Sequence, residues 1–188
     1  GMIPDKTSNF NLYTNTADAA NRIVGVTDSI NLIELENMST TLNLAGFAGE
    51  VDSPTVGQYK SVTVEIPFSN TSKQMLEVAA NDQNPIIARS AQEFIDPETG
   101  NKQIVNRTIT IRGWTKKINY GKLNKNGNGE PSITKETIYY QDIIDGEEVT
   151  CIDKLKGTVK IAGNAVDIVI LFHRIVDAHR SEERRVGK

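Results

Sequence analysis

The chain has 188 residues, 38% apolar and 24% charged, with a formal net charge of −3. That length holds one domain with a hydrophobic core of its own. Cys151 is the sole cysteine, which excludes an internal disulfide and a cysteine metal cluster, and the longest apolar run, Val166 to Phe172, is far too short for a membrane-spanning helix.

In chain order, Asn9-Phe10-Asn11-Leu12-Tyr13 alternates and reads as a strand, with Arg22 to Val26 its expected hairpin partner across Asn15 to Asn21. Ser29 to Leu35 is strand-like, and Leu32-Ile33 breaks its alternation as a bulge would. Ala45 to Gly57 carries three glycines and Pro54 and reads as a loop, yet it holds Phe47, Val51 and Val56. Apolar side chains on a loop this long call for a surface to cover.

Ser61 to Phe68 alternates most cleanly, with Val62, Val64, Ile66 and Phe68 facing one way and Ser61, Thr63 and Glu65 the other. Asn70 to Asn81 is the one helix predicted. Thr71 and Gln74 have capping-box spacing, Met75, Val78 and Ala79 form the apolar stripe, and Asn81 is placed for a left-handed stop. Ile86 to Phe94 is a strand, followed by a turn at Asp96 to Gly100.

From Ile104 to Asp167 strands alternate with turns. Val105, Ile109 and Ile111 share one face, and Asn106, Thr108, Thr110 and Arg112 the other. Asp145-Gly146 and Gly163-Asn164 sit where tight hairpins need residues tolerant of positive φ. Tyr120 to Pro131 is a Gly/Asn/Lys loop, and Cys151, inside Val149-Thr150-Cys151-Ile152, is expected to be a small buried apolar residue.

No catalytic constellation emerges. His173 and His179 have a spacing that fits neither one helix face nor a metal hairpin, and no serine lies in a G-x-S-x-G elbow. Gly46 to Gly57 lacks the lysine of a phosphate-cradling loop. The carboxylate pairs Glu34/Glu36, Asp142/Asp145 and Glu147/Glu148 fall at turns or on wet strand faces, where solvation is the expected state. Lys116, Lys117, Lys122 and Lys125 lie near Trp114 and Tyr120. That pattern can bind single-stranded nucleic acid, but in an acidic chain it reads better as a solvated loop guarding a sheet edge, with Trp114 a core or interface anchor. A building block or a binder is expected before an enzyme, with no metal and no cofactor.

An ordered set of segments resembles the major tail tube protein of phages with contractile tails, shared with phage-tail-like bacteriocins. It comprises Met2-Ile3-Pro4 with Asn9 to Tyr13, the glycine loop Ala45 to Asp52, Ile111-Arg112-Gly113, and the Gly/Lys loop to Gly129-Glu130. Thr137 to Tyr140, Asp145-Gly146 with Ile152-Asp153, and Ile161 to Asn164 continue it. The resemblance implies a mainly β fold of two packed antiparallel sheets with one flanking α-helix and long loops. It also implies a structural role: homohexameric rings stacked into a tube, a sheath protein outside, and tape-measure protein and DNA passing through the lumen without specific binding. Assembly in the bacterial host cytoplasm into a virion tail, with no membrane involved, goes with that role.

Within that expectation Gly46, Phe47, Gly49, Val51 and Asp52 make the subunit interface loop, and Ser61, Thr63 and Glu65 face the lumen. The domain is expected to span residues 2–179. Gly1 looks like the scar of tag removal, and Arg180 to Lys188 like a translated sequencing adapter. Two alternatives stay open: the tube of a secretion or extracellular injection system, and a monomeric β-sandwich ligand-binding module that uses Trp114, Tyr120 and the lysine loop.

Overall fold

Period-2 stretches of Val, Ile and Thr make most of this chain strand, because a pleated strand turns successive side chains to opposite faces. The computed structural model describes residues 3–4, 9–35, 37–42, 51–59, 62–125 and 127–166. In chain order the strands begin with β1 (Ile3–Pro4), β2 (Asn9–Thr14), β3 (Asn37–Leu42), β4 (Val51–Tyr59) and β5 (Thr63–Pro67). After the helix α1 (Lys73–Ala80) come β6 (Ile86–Ile95), β7 (Lys102–Asn119), β8 (Leu123–Asn124) and β9 (Gly127–Asn128). The last four are β10 (Ser132–Ile144), β11 (Glu147–Asp153), β12 (Thr158–Ile161) and β13 (Asn164–Val166).

Nine strands form one sheet in the order β1-β6-β7-β10-β11-β12-β13, with β2 also on β6 and β5 also on β10. Among the described residues β3 pairs only with β4, and β8 only with β9. Among the described residues every ladder is antiparallel and one helix flanks them, so the fold is mainly β.

β10 is the spine. β7 runs along one edge from Asn119 to Arg107, while β5 and β11 divide the other edge, taking Ser132 to Glu136 and Tyr139 to Ile144. The β7 register slips between Thr137 and Tyr139. A residue inserted there bends the strand and resets which side chains point inward. Ile133, Lys135 and Thr137 are therefore buried before the slip, and Tyr140 and Asp142 after it.

Leu12, Val64, Ile66, Phe68, Met75, Ile109, Ile111, Ile133, Ile152 and Val159 belong to one core. β5 delivers its apolar set as its alternation predicts, with Val62, Val64, Ile66 and Phe68 at 2% exposure or less. α1 adds Met75, Val78 and Ala79.

Several local expectations give way. β2 pairs along its whole length with the distant β6, while the expected partner meets it only at one end, where Arg22 bridges Tyr13 and the Ile23 amide donates to the Leu12 carbonyl at 2.8 Å. Ser29 to Leu35 forms no strand. It bridges β5 at Asn31↔Glu65 and lays Ile30, Leu32, Ile33 and Leu35 against the core. The helix cap is Ser72, whose hydroxyl accepts from the Met75 amide at 3.1 Å, while Thr71 donates to the Tyr120 carbonyl at 2.8 Å. Gln74 leaves the cap altogether: its amide donates to Arg22 O, and its oxygen accepts from Val24 N. Asn81 has φ −97 and is not left-handed.

Asp145 and Gly146 have φ 51 and 78, the mirror-image turn that matches strand twist. In the last hairpin Ala162 and Gly163 hold the positive angles, and Asn164 already belongs to β13.

Candidate functional site

The sheet carries charge in its interior. Lys135 is 3% exposed, and its ammonium lies 3.1 Å from Asp82 Oδ1 and 3.4 Å from the Asn81 carbonyl, at the negative C-terminal end of α1. Asp82 also accepts from the Thr115 amide at 2.9 Å, and the Thr115 hydroxyl donates to the Ala79 carbonyl. Burial opposes ionisation of Asp82, but the Thr115 amide and the Lys135 ammonium outweigh it and hold the carboxyl below its usual value. These contacts fasten the helix to β7 and β10.

On the other half of β10, Asp142 accepts a forked pair of bonds from Arg107, Nε at 3.0 Å and Nη2 at 2.5 Å. The bond to Asp142 raises the Arg107 pKa. Burial, with Asp142 beside it, pushes the Tyr140 phenol up to about 12. Asp142 is thus a buried structural anion and not one of the solvated pair the sequence suggested. Asp145 remains exposed and accepts from the Asn106 amide.

Thr63 and Glu65 stand on the non-core face of β5, half-buried and exposed respectively; Ser61 lies outside the described residues. In register, Thr63 faces Glu136 and Glu65 faces Thr134. β7 continues the row with Trp114 opposite Glu136 and Lys117 opposite Thr134. Beyond the bulge the same face carries Thr110 opposite Gln141 and Thr108 opposite Ile143. It is mostly polar, with charges of both signs, and Trp114 and Ile143 interrupt it. Glu136 is bound by the buried Lys154 at 3.1 Å and approached by Lys116 at 3.8 Å. Cys151 lies half-buried on this face opposite Gln141, less enclosed than expected, and burial pushes its thiol up.

Gly46, Phe47 and Gly49 lie outside the described residues. Val51 and Asp52 do not belong to a loop: they open β4, opposite Leu42 and Thr41 of β3. Pro54 and Gly57 made this stretch look irregular, but a strand paired on one edge tolerates a proline without losing a ladder bond.

The lysine loop is likewise partly ordered, since β8 and β9 make a small hairpin within it. Trp114 is 41% exposed and so is not a core residue, while Tyr120 and Leu123 are more exposed still. His173 and His179 fall outside the described residues. Among the described residues no cluster of His, Cys, Asp and Glu could hold a metal ion. Nor, among the described residues, is any helix long and apolar enough to cross a membrane.

A model of the family described as "Phage tail tube protein FII" matches residues 4–168. No curated protein matches the chain. Among solved structures, the chain is similar to one described as "Cryo-EM Structure of an Extracellular Contractile Injection System, PVC sheath/tube terminator in extended state". That match has 9% identity and a TM-score of 0.44, covering 75% of this chain and 97% of the other. A second, described as the PVC sheath-tube complex in the extended state, has 9% identity and a TM-score of 0.40, covering 72% and 88%.

Proposed function

The chain belongs to the phage tail tube protein FII family, and we propose that it forms hexameric rings whose stacked bore conducts DNA inside a contractile sheath. The family is one of structural proteins, so the chain is a tail tube subunit and not an enzyme. The observation that carries the reading is the family match over residues 4–168.

Physical features of the chain support the finer claims. A two-stranded ribbon such as β3–β4 is marginal by itself and gains stability by lying on another surface. A neighbouring subunit supplies that surface, with Gly46, Phe47, Gly49, Val51 and Asp52 making the contact. Ser61, Thr63 and Glu65 face the bore. A wall bearing hydroxyls, amides and charges of both signs offers phosphates no basic track, so DNA releases few counterions there and slides. Tape-measure protein passes the same way, and the particle is assembled in the host cytoplasm.

Negative-stain microscopy of concentrated protein tests the reading. Hollow six-fold annuli or rods are expected, and Val51→Asp should abolish them while leaving the monomer's unfolding midpoint in place. A strictly monomeric protein that holds an oligosaccharide or single-stranded DNA at micromolar concentration would overturn the reading.

A further inference from the structure

Leu123 stands fully exposed, at 105% relative exposure, on the hairpin β8–β9. A free leucine on a floppy loop would carry no meaning, but this hairpin is clamped at its base. Gly121 has φ +77, and a Cβ there would lie 2.2 Å from the Gly129 carbonyl oxygen. A Cβ on Gly129 would in turn lie 2.2 Å from the Lys122 amide nitrogen. The Gly121 amide donates to Asn119 Oδ1 at 2.9 Å, and the Tyr120 carbonyl accepts from Thr71 beside the helix cap. The leucine is therefore a knob held by β7 and by Thr71 just ahead of α1, flanked by the exposed Lys122 and Lys125.

A matching hollow lies elsewhere on the surface. Between β2, β6 and β7 on one side and the segment from Ser29 to Leu32 on the other opens a cavity of about 230 Å³. Phe10, Ile30, Leu32, Ala88 and Ile109 give it apolar walls, and the Arg107 charge at its border is already taken up by Asp142. An apolar cavity of ~150 Å³ is enough to admit a benzene ring, so this one admits an isobutyl group. The wall segment from Val26 to Leu35 carries Asp28 and Glu34, both exposed, and no basic residue.

We infer that Leu123 of one copy seats in the Phe10–Ile30–Leu32 cavity of the next, with Lys122 and Lys125 facing Asp28 and Glu34. Shape and charge both favour a second copy as occupant: an apolar knob between two cations meets an apolar hollow beside two anions. The two sides of this contact are different patches, so it propagates head to tail and either closes into a ring or winds into a filament. The inference rests on the self-assembly reading above and names the surfaces that would carry it.

Cysteine cross-linking tests it directly. In a Cys151→Ser background, oxidation of the Leu123→Cys/Ser29→Cys double variant should give a ladder of covalent oligomers, and neither single variant should pass dimer. Leu123→Asp should raise the concentration needed for half-assembly by about tenfold or more, the equivalent of losing one buried leucine. Its monomer should melt where the unsubstituted monomer melts, since the side chain touches nothing within its own fold. Lys122→Glu should weaken assembly, and adding Asp28→Lys should restore it. Unchanged assembly by Leu123→Asp, or annuli without cross-links in the double variant, would overturn this contact and leave the tube reading standing. Absence of both annuli and cross-links from the unsubstituted and double-variant proteins would overturn both.

Discussion

The two halves of β10 solve one problem in opposite ways. Before the bulge the cation is buried and the anion half in water, with Lys135 at 3% side-chain exposure and Asp82 at 47%. After it the anion is buried, with Asp142 at 6% and Arg107 at 39%. In each pair the outer partner stays hydrated while neutralising the inner one. Removing the outer partner strands a charge in the core, whereas removing the inner one lets its partner return to water.

That asymmetry orders the expected effects. Arg107→Ala and Asp82→Ala should each cost about 3 kcal/mol in urea unfolding, the lower end of what breaking a buried pair costs. Equal losses on both sides of the bulge would support the comparison, and a loss under about 1 kcal/mol at either would break it. Ser72→Ala should cost about 1 kcal/mol through the helix cap, with Thr71→Ala well below it. The reverse ranking would return the cap to Thr71. Lys135→Met should change stability by less than about 1 kcal/mol, because a hydrophobe of similar length fills the same channel.

The smallest effect is a pH dependence. Asp82 ionises more readily folded than unfolded, so its contribution is complete above the ordinary value of 3.8 and is lost as pH falls through the lowered native one. The stability gap between the unsubstituted protein and Asp82→Asn should therefore close on acidification over that window. A gap that widens in acid would mean the sign is wrong.

Local alternation told the truth where a strand buries one full face. β5, β6, the body of α1 and the Asp145-Gly146 turn were all legible, because each is decided by neighbours a few residues away. β2 itself was legible and so was its contact with Arg22, but its main partner β6 is far along the chain, and no local pattern encodes a distant pairing. Asp142 read as a wet position because only the fold brings Arg107 to it, and the buried ammonium of Lys135 left no local trace because its partner Asp82 lies just past α1, far from it in the chain. Thr71 lost the cap to Ser72 by one residue, a margin that composition does not resolve. Of the candidate site, the polar face of Thr63 and Glu65 was legible from alternation. The strand character of Val51 and Asp52 was hidden behind Pro54 and Gly57.

The distant pairings also set a pace. Leu12 meets Ala88, Ile66 meets Ile133, and the core stays open until Ile152 and Val159 arrive from near the end of the described chain. Such high-contact-order folds close slowly, because loop-closing entropy is spent before the contacts return it. A nascent chain emerging from the ribosome therefore holds its early strands unsheltered until the stretch from Ile152 to Val159 has been translated.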